Sequence, residues 1–315
     1  MTLPNFLIIG AARSGTTSLY TYLKEHPEIY MSPVKEASFF CLNGKPLDYQ
    51  GPGDKATIVQ NSFYYLKDYE SLFKNVKNEK AIGEASPMYM YYAKKTIPCI
   101  KRYIPNVKLI AILRNPVERA YSAYSLMFSS GKDFGLPREP CADFGEALEA
   151  EEQRINMNWG WIYHYKKCGF YYSQLKYYYK NFNKNQIRIY LYEDLKARPR
   201  RLLEDIFDFL EVNKKFRPKL NQVKRSKPGK IVRLHFFHSM LTKSNISRSF
   251  LRILSKPFIS FDTRQKIRNS LIGFNLKKYK PPLTEEVRKK LLNTYRDDIL
   301  RLQKLINRDL SGWLK

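Results

Sequence analysis

The chain has 315 residues, of which 43% are hydrophobic and 15% aromatic, so it can bury a core and is not a globally disordered protein. Its formal net charge is +27, because 56 Lys and Arg residues outnumber 29 Asp and Glu residues. Such an excess attracts polyanions, anionic membranes and anionic small molecules through long-range fields, and the charge alone does not choose among them.

The cysteines are widely separated and form no CxxC pair; they are Cys41, Cys99, Cys141 and Cys168. This spacing indicates neither a zinc site nor a disulfide framework, and it predicts buried or free thiols in a reducing compartment. The first apolar run, residues 6–9, is too short for a signal sequence or a membrane span. We therefore expect a cytoplasmic protein.

Apolar runs alternate with helical patterns along the chain. Strands are predicted at residues 6–9, 29–31, 81–83, 107–113 and 186–192. Helices are predicted at 18–23, 171–182, 200–210 and 284–307, and a further one begins at Pro116 with Asn115 as its N-cap and Glu118 as the return partner of a capping box. This alternation predicts an α/β fold with a mostly parallel sheet, helices on both faces, and ligands at the carboxyl ends of the strands.

The first strand is followed by the segment GAARSGTT, residues 10–17. It has the Gly-x4-Gly spacing of a Walker A loop, but Thr16 stands where that loop has its lysine. Small residues let backbone N–H groups close on a phosphate, and the following helix points its positive end at the same anion. The cation of this loop is Arg13. Glycine spacing alone would also fit an ordinary strand-to-helix turn, whereas the string RSGTT favours an anion site.

This loop resembles the 5′-phosphosulfate-binding loop of sulfotransferases that use 3′-phosphoadenosine 5′-phosphosulfate (PAPS). These enzymes share the P-loop NTPase-like fold of nucleotide kinases and use no catalytic metal, so the resemblance implies one such domain over residues 1–315 and no metal here. It implies that Arg13 contacts the 5′-phosphate and stabilises the charge that develops on the leaving group. It also implies phosphate contacts from Ser14, Gly15, Thr16, Thr17 and Ser18.

A second anion site is predicted where the strand at 107–113 ends. The segment LRNPVERAYS, residues 113–122, resembles the 3′-phosphate-binding element of the same family. In this resemblance Arg114 supplies a charge-assisted contact and Ser122 a hydroxyl donor. Taken alone, the two residues also fit a surface cation beside a helix and a tolerated helix serine. Two separated anion sites suit PAPS, which carries a phosphate on each side of its ribose.

The segment KEASFF, residues 35–40, resembles the Lys-Glu-x-x-Phe-Phe segment of carbohydrate sulfotransferases. In those relatives the matching glutamate removes the acceptor proton, and the resemblance assigns this role to Glu36. The alternatives are an exposed Lys35–Glu36 pair beside a buried aromatic anchor, and a histidine base such as His164. The segment GEASP, residues 83–87, also matches, but Ala85 replaces the lysine of glucosaminyl 3-O-sulfotransferases, which argues against heparan sulfate as the acceptor.

The resemblance continues through YEDL at residues 192–195 to the end of the chain and is weakest over 230–280. We interpret the basic region 214–280 as a helical insertion or a cover over the acceptor, not as a separate domain. Its Arg225 and Lys227 belong to a loop that either folds over the nucleotide or is a solvated turn. The stretch 231–261 could cover the acceptor cleft, lie on an anionic membrane, or pack as amphipathic helices.

The sequence is therefore interpreted as a PAPS-dependent sulfotransferase. It is expected to act on a hydroxyl or amine of a carbohydrate or small metabolite by in-line displacement, with Glu36 as the base. A nucleotide kinase is the first alternative, and it lacks its P-loop lysine. A basic nucleic-acid-binding protein is the second, and its binding would fall steeply with salt. We expect no specific nucleic-acid partner, while peripheral membrane contact stays open.

Overall fold

The computed structural model describes residues 2–54, 58, 62–130, 139–220, 230–232, 276–278 and 281–315. Its central sheet has five strands: β1 (Phe6–Gly10), β2 (Ile29–Met31), β3 (Ala81–Ala85), β4 (Lys108–Leu113) and β5 (Ile187–Leu191). They lie in the order β2-β3-β1-β4-β5, and every pairing is parallel. The five predicted strands and the parallel sheet are confirmed.

Helices flank the sheet on both faces, as predicted. They are α1 (Thr16–Lys24), α2 (Phe39–Leu42), α3 (Leu66–Ser71), α4 (Met88–Tyr91), α5 (Ala93–Tyr103), α6 (Pro116–Ser130), α7 (Phe144–Glu149), α8 (Glu151–Asn156), α9 (Tyr171–Asn181), α10 (Tyr192–Ala197), α11 (Pro199–Phe209) and α12 (Glu285–Ile306). Strand side chains alternate between two apolar layers. Phe6 and Ile8 pack in the layer of α1 and α11, and Leu7 and Ile9 pack in the layer of α5, α6, α9 and α12.

Parallel strands place their carboxyl ends at one edge of the sheet. Gly10 ends β1, Ala85 ends β3 and Leu113 ends β4, so the loops that follow these neighbouring strands meet above the same edge. The order of the strands brings β1 to the centre, between β3 and β4. The predicted phosphate loop and the predicted 3′-phosphate element therefore leave adjacent strands.

Helix α6 begins as the sequence predicts, with one change at its third residue. The Asn115 side chain accepts hydrogen bonds from the backbone N–H groups of Val117 and Glu118 at 3.0 and 3.3 Å. The expected return contact from Glu118 is wrong, because its carboxylate accepts hydrogen bonds from Arg288 at 2.7 Å and Arg114 at 3.5 Å. Two guanidinium groups attract a carboxylate more strongly than a neutral amide does.

The basic region 214–280 is described only at 214–220, 230–232 and 276–278. The described residues include an antiparallel pair of strands, β6 (Lys230–Val232) and β7 (Leu276–Lys278), and the interpretation of the region as an insertion or acceptor cover stays a prediction. Strand β6 approaches α6. Arg225 and Lys227 lie outside the described residues, as does most of the stretch 231–261. Among the helices that are described, none combines the length and the apolar character needed to cross a bilayer.

All four cysteines are free thiols, as their spacing predicts. Burial raises the pKa of Cys99 to about 11 and that of Cys168 to about 12. Thiols that stay protonated at neutral pH are weak nucleophiles and weak metal ligands. Cys99 and Cys168 are therefore weakly reactive side chains that pack in the interior.

Candidate active site

The phosphate loop lies between β1 and α1 and is fixed at both ends. Its Ala11 N–H donates to the Ile112 carbonyl of β4 at 2.8 Å. At its other end Gly15 has a φ of 102°, and a Cβ there would lie 3.0 Å from both Tyr192 and Leu195. Both the left-handed backbone and the close approach of α10 require glycine at this position. The loop therefore passes directly beneath the start of α10.

The predicted phosphate ligands other than Arg13 gather around the first turn of α1. Ser14 is fully buried beside the Tyr171 hydroxyl, Thr16 is 4% exposed, Ser18 is half-buried and Thr17 is exposed. The first N–H groups of a helix have no carbonyl partner within it. Together with the positive end of the helix dipole, such groups favour an anion, and the predicted phosphate contacts of this turn stay a prediction.

Arg13 connects the two predicted phosphate sites. Its Nη2 donates to Ser122 Oγ of α6 at 3.3 Å, and its backbone carbonyl accepts from Arg114 Nη1 at 3.5 Å. Its Nε is buried without an acceptor among the described residues. The guanidinium therefore lies between the loop and α6, and its contacts join residues more than 100 positions apart in the chain.

Three arginines make this site strongly positive. Arg119 of α6 is 2% exposed and donates to the Tyr165 carbonyl. Burial, followed by the charges of Arg114 and Arg119, lowers the pKa of Arg13 to about 10. The sequence interpretation missed Arg119, although it lies three residues before Ser122 and so on the same side of the helix. An anion bound among these side chains would relieve their mutual repulsion.

Arg114 is held between an aromatic ring and a carboxylate. Its guanidinium carbon is 5.1 Å from the centre of the Tyr192 ring, and it pairs with Glu118 at 3.5 Å. Tyr192 begins α10 directly after β5, at the carboxyl edge of the sheet. The sequence interpretation used Tyr192 only as part of the YEDL segment and did not include it in the site. Its ring contacts both sides of the site, because it touches Arg114 and approaches Gly15.

Glu36 lies in the loop that follows β2, near the same edge. Its backbone N–H donates to the Ala85 carbonyl at 2.9 Å, its side chain is 44% exposed, and its carboxylate forms an ion pair with Lys35. The charge of Glu36 acts on Arg13, where it opposes the lowering of the pKa. The adjacent Phe39 and Phe40 are buried. The structure thus contains the Lys35–Glu36 pair beside an aromatic anchor, and the Glu36 carboxylate is near enough to Arg13 for its charge to act on that side chain.

His164, the alternative base, lies in a different environment. It is 6% exposed, and its Nδ1 is 2.7 Å from the Tyr91 hydroxyl. Burial lowers the pKa of His164 to about 4, so the ring is neutral at neutral pH. Tyr91 borders a cavity of about 540 Å³, whose wall also contains Glu151, Lys166, Lys167, Phe170 and Gln174.

The described residues contain no cluster of three or more His, Cys, Asp or Glu side chains that could hold a metal ion. The positive charge of the loop comes from Arg13, and Thr16 occupies the position of the Walker A lysine. The expectation of a metal-independent reaction stays a prediction.

Comparison with known proteins places the chain among enzymes of one type. A family model described as "Sulfotransferase domain" matches residues 3–306. The membrane-associated sulfotransferase kil1 of Dictyostelium discoideum is 28% identical in an alignment 289 residues long. The match covers 67% of this chain and 56% of that protein. Carbohydrate sulfotransferase 15 of Homo sapiens is 31% identical over 166 residues, covering 41% of this chain and 28% of that protein. The chain thus spans about half, or less, of these curated relatives.

A solved structure agrees with the family match. The crystal structure of a sulfotransferase from Alicyclobacillus acidocaldarius superposes with a TM-score of 0.75 and 29% sequence identity, and the match covers 100% of both chains. Sulfotransferases have a P-loop-like fold, so the predicted fold class is confirmed. With the family model matching nearly its whole length, this chain belongs to the sulfotransferase family.

Proposed function

We propose that the protein transfers the sulfuryl group of PAPS to a hydroxyl or amine and releases adenosine 3′,5′-bisphosphate. The observation that carries this proposal is the position of Arg13, which contacts Ser122 at 3.3 Å while its carbonyl accepts from Arg114 at 3.5 Å. One arginine thereby joins two anion sites on neighbouring strands. A nucleotide with a 5′-phosphosulfate and a separate 3′-phosphate has the charge distribution that such a pair of sites would bind.

In the proposed complex, each phosphate has its own set of donors. The 3′-phosphate is bound by Arg114 and Ser122, and the Tyr192 ring forms a wall between the two sites. Arg225 and Lys227, which lie outside the described residues, are proposed as further nucleotide contacts. The 5′-phosphosulfate is bound at the first turn of α1 by Arg13, Ser14, Gly15, Thr16, Thr17 and Ser18.

The proposed reaction is an in-line displacement at sulfur. The acceptor oxygen or nitrogen attacks the sulfur atom as the bond from sulfur to the bridging phosphate oxygen breaks. Glu36 takes the acceptor proton, and Arg13 donates hydrogen bonds to the phosphate that gains negative charge. With a pKa of about 10, Arg13 stays protonated at neutral pH and keeps its full charge for this role.

We propose a carbohydrate or a small metabolite as the acceptor. The relatives include a carbohydrate sulfotransferase and heparan sulfate N-deacetylase/N-sulfotransferases, which supports a hydroxyl or amine on a sugar. The cavity beside Tyr91 could hold part of such an acceptor, since its wall combines the Phe170 ring with amines and carboxylates. A cytoplasmic location and peripheral membrane contact both remain proposals.

Product analysis and one substitution test the proposal. The protein is supplied with PAPS and candidate acceptors, and a sulfated product is sought by mass spectrometry. Glu36→Gln keeps the shape of the side chain and removes the base, so turnover should fall by about 10²- to 10⁴-fold. Affinity for adenosine 3′,5′-bisphosphate, measured by calorimetry, should change little, because a carboxylate does not bind an anionic phosphate.

The matched control is Glu204→Gln. Glu204 has nearly the same exposure as Glu36, 43% against 44%, and likewise forms an ion pair, with Arg217 at 2.8 Å, but it lies on α11. This control should leave turnover unchanged. If Glu36→Gln binds nucleotide normally and transfers sulfate at the wild-type rate across the pH range, Glu36 is not the base, and His164 is the next candidate.

A further inference from the structure

Glu84 is a fully buried carboxyl group that the proposed reaction does not use. It lies in β3 within the GEASP segment, at 0% exposure, with the rings of Tyr69 and Tyr89 beside it. Its Oε1 accepts a hydrogen bond from the hydroxyl of Ser86. Burial of a carboxyl group costs free energy, which hydrogen bonds to its oxygens must offset. The partners of Glu84 therefore indicate what this residue holds in place.

A chain of hydrogen bonds leads from Glu84 to Glu36. Ser86, which donates to Glu84, accepts at its Oγ from the backbone N–H of Ser38 at 3.0 Å. The Ser38 hydroxyl donates to the Glu36 carbonyl at 2.9 Å, and the Glu36 N–H donates to the Ala85 carbonyl, also at 2.9 Å. Ala85 and Ser86 thus hold the backbone of the loop that carries the proposed base, and Glu84 accepts the hydrogen bond of Ser86.

That loop has a backbone conformation that needs support. Glu36 has a φ of 68° and Ser38 a φ of 62°, both in the left-handed region that residues other than glycine rarely adopt. A strained conformation persists only where the surrounding contacts fix it. The contacts from Ser86 and Ala85 are of this kind, since they attach both left-handed residues to the end of β3.

We infer that Glu84 is a positioning residue for the proposed base, because through Ser86 it fixes the turn at 36–38 and so directs the Glu36 carboxylate. The inference rests on the proposed function of Glu36. An ionised carboxylate only accepts hydrogen bonds, so it obliges the Ser86 hydroxyl to donate inward and leaves its oxygen free to accept from Ser38. A protonated Glu84 can itself donate a hydrogen bond to Ser86. The direction of the hydrogen bonds from Ser38 through Ser86 to Glu84 is then no longer fixed.

The hydrogen bonds from Glu84 to the turn at 36–38 should depend on pH through the protonation state of Glu84. Burial, opposed in part by the hydrogen bond from Ser86, raises the pKa of Glu84 to about 7. The charged and titratable groups that face it include Lys35 and Glu36 from the loop, Tyr69 from α3, Tyr89 from α4, and Cys41. The turn at 36–38 should therefore be held most firmly above pH 7.

A double-mutant cycle tests the inference. Ser86→Ala in the otherwise wild-type protein should lower kcat about three- to tenfold, the effect of one lost hydrogen bond, with affinity for adenosine 3′,5′-bisphosphate unchanged. In a Glu36→Gln background the same substitution should cause no further loss of kcat, because its effect passes through Glu36. Glu84→Gln, which keeps the shape and one acceptor oxygen, should remove a titration near pH 7 from the pH profile of kcat.

Asp54→Asn is the matched control for a buried carboxyl group. Asp54 is 0% exposed and accepts from the N–H groups of Gly51 and Gly160 at 2.9 and 2.7 Å, and so holds loops other than the one that carries Glu36. Its substitution should lower the melting temperature and leave kcat and its pH profile as in the wild type. Ser86→Thr, which restores the hydroxyl, should recover most of the kcat lost in Ser86→Ala.

The outcomes separate two failures. If Glu36→Gln alone leaves kcat unchanged, the base assignment fails and the positioning role fails with it. If Glu36→Gln lowers kcat but Ser86→Ala does not, or if Ser86→Ala lowers kcat equally in both backgrounds, only the positioning role of Glu84 is overturned. The cycle uses only Ser86→Ala and Glu36→Gln. It therefore tests the inference even where Glu84→Gln fails to fold.

Discussion

Removal of the guanidinium of Arg13 should stabilise the protein in the absence of nucleotide. Arg13 is half-buried, its Nε is buried with no acceptor among the described residues, and Arg114 and Arg119 repel it. Arg13→Met keeps most of the aliphatic volume and removes the charge. The substitution removes one hydrogen bond of 3.3 Å, from Arg13 to Ser122. The free energy lost with this bond is smaller than the free energy that burial of the cation costs.

The size of the effect follows from the pKa of Arg13. Its fall from 12.5 to about 10 corresponds to about 3 kcal/mol of free energy that opposes folding of the charged form. The side chain is partly exposed and solvent screens part of this cost, so we expect a gain of about 1–3 kcal/mol in the free energy of unfolding. Because the lowered pKa is still about 10, the cost is fully present at every pH below that value.

Thermal denaturation with and without nucleotide measures the effect. Without nucleotide, Arg13→Met should melt about 2–5 °C above the wild type, as expected for about 1–3 kcal/mol in a chain of this size. Adenosine 3′,5′-bisphosphate at a hundred times its Kd should stabilise the wild type by about 2.7 kcal/mol and the variant far less. The surface variant Arg102→Met should change neither value. A variant that melts below the wild type without nucleotide, or that gains equally from the ligand, would refute the reasoning.

Three further outcomes are expected. Arg114→Ala should weaken adenosine 3′,5′-bisphosphate by about ten- to a hundredfold, or about 1.5–3 kcal/mol, and adenosine 5′-phosphate much less; equal losses in calorimetry would move Arg114 away from the 3′-phosphate. Chelation with EDTA should leave sulfuryl transfer intact, and a loss restored by magnesium would contradict this. Between pH 4.5 and 7 the unfolded chain loses the Glu84 proton while the folded protein keeps it. The free energy of unfolding of the wild type, measured in urea, should therefore fall by about 3 kcal/mol relative to Glu84→Gln over this range. Parallel curves of stability against pH for the two proteins would argue against the raised pKa.

The sheet could be predicted because its strands are buried on both faces. Strands β1 and β4 appear in the sequence as continuous apolar runs, which is typical of parallel strands between two helical layers. The start of α6 was equally readable, since an asparagine followed by proline is a strong local signal for a helix N-terminus. Local signals of this kind depend only on residues close together in the chain, and these parts of the prediction are confirmed.

Contacts between distant residues are the part that the sequence could not provide. Glu118 has the correct spacing for a capping box, yet Arg288 from α12, 170 residues away, binds its carboxylate. Arg119 and Tyr192 enter the site only because α6 and α10 lie beside the phosphate loop in the folded protein. A charged side chain pairs with whichever partner tertiary packing brings nearest, and spacing along the chain does not encode that partner.

The two proposed catalytic residues share a backbone feature that relates to their function. Arg13 and Glu36 have φ values of 67° and 68°, in the left-handed region. Each such residue costs about 1–3 kcal/mol, which is sustained only where neighbouring contacts determine the conformation. Arg114 holds the carbonyl of Arg13, and Ala85 holds the N–H of Glu36. These anchors lie at the carboxyl ends of β4 and β3, the two neighbours of β1. The rigid sheet therefore sets the separation between the proposed base and the leaving-group cation, which an in-line displacement requires to be constant.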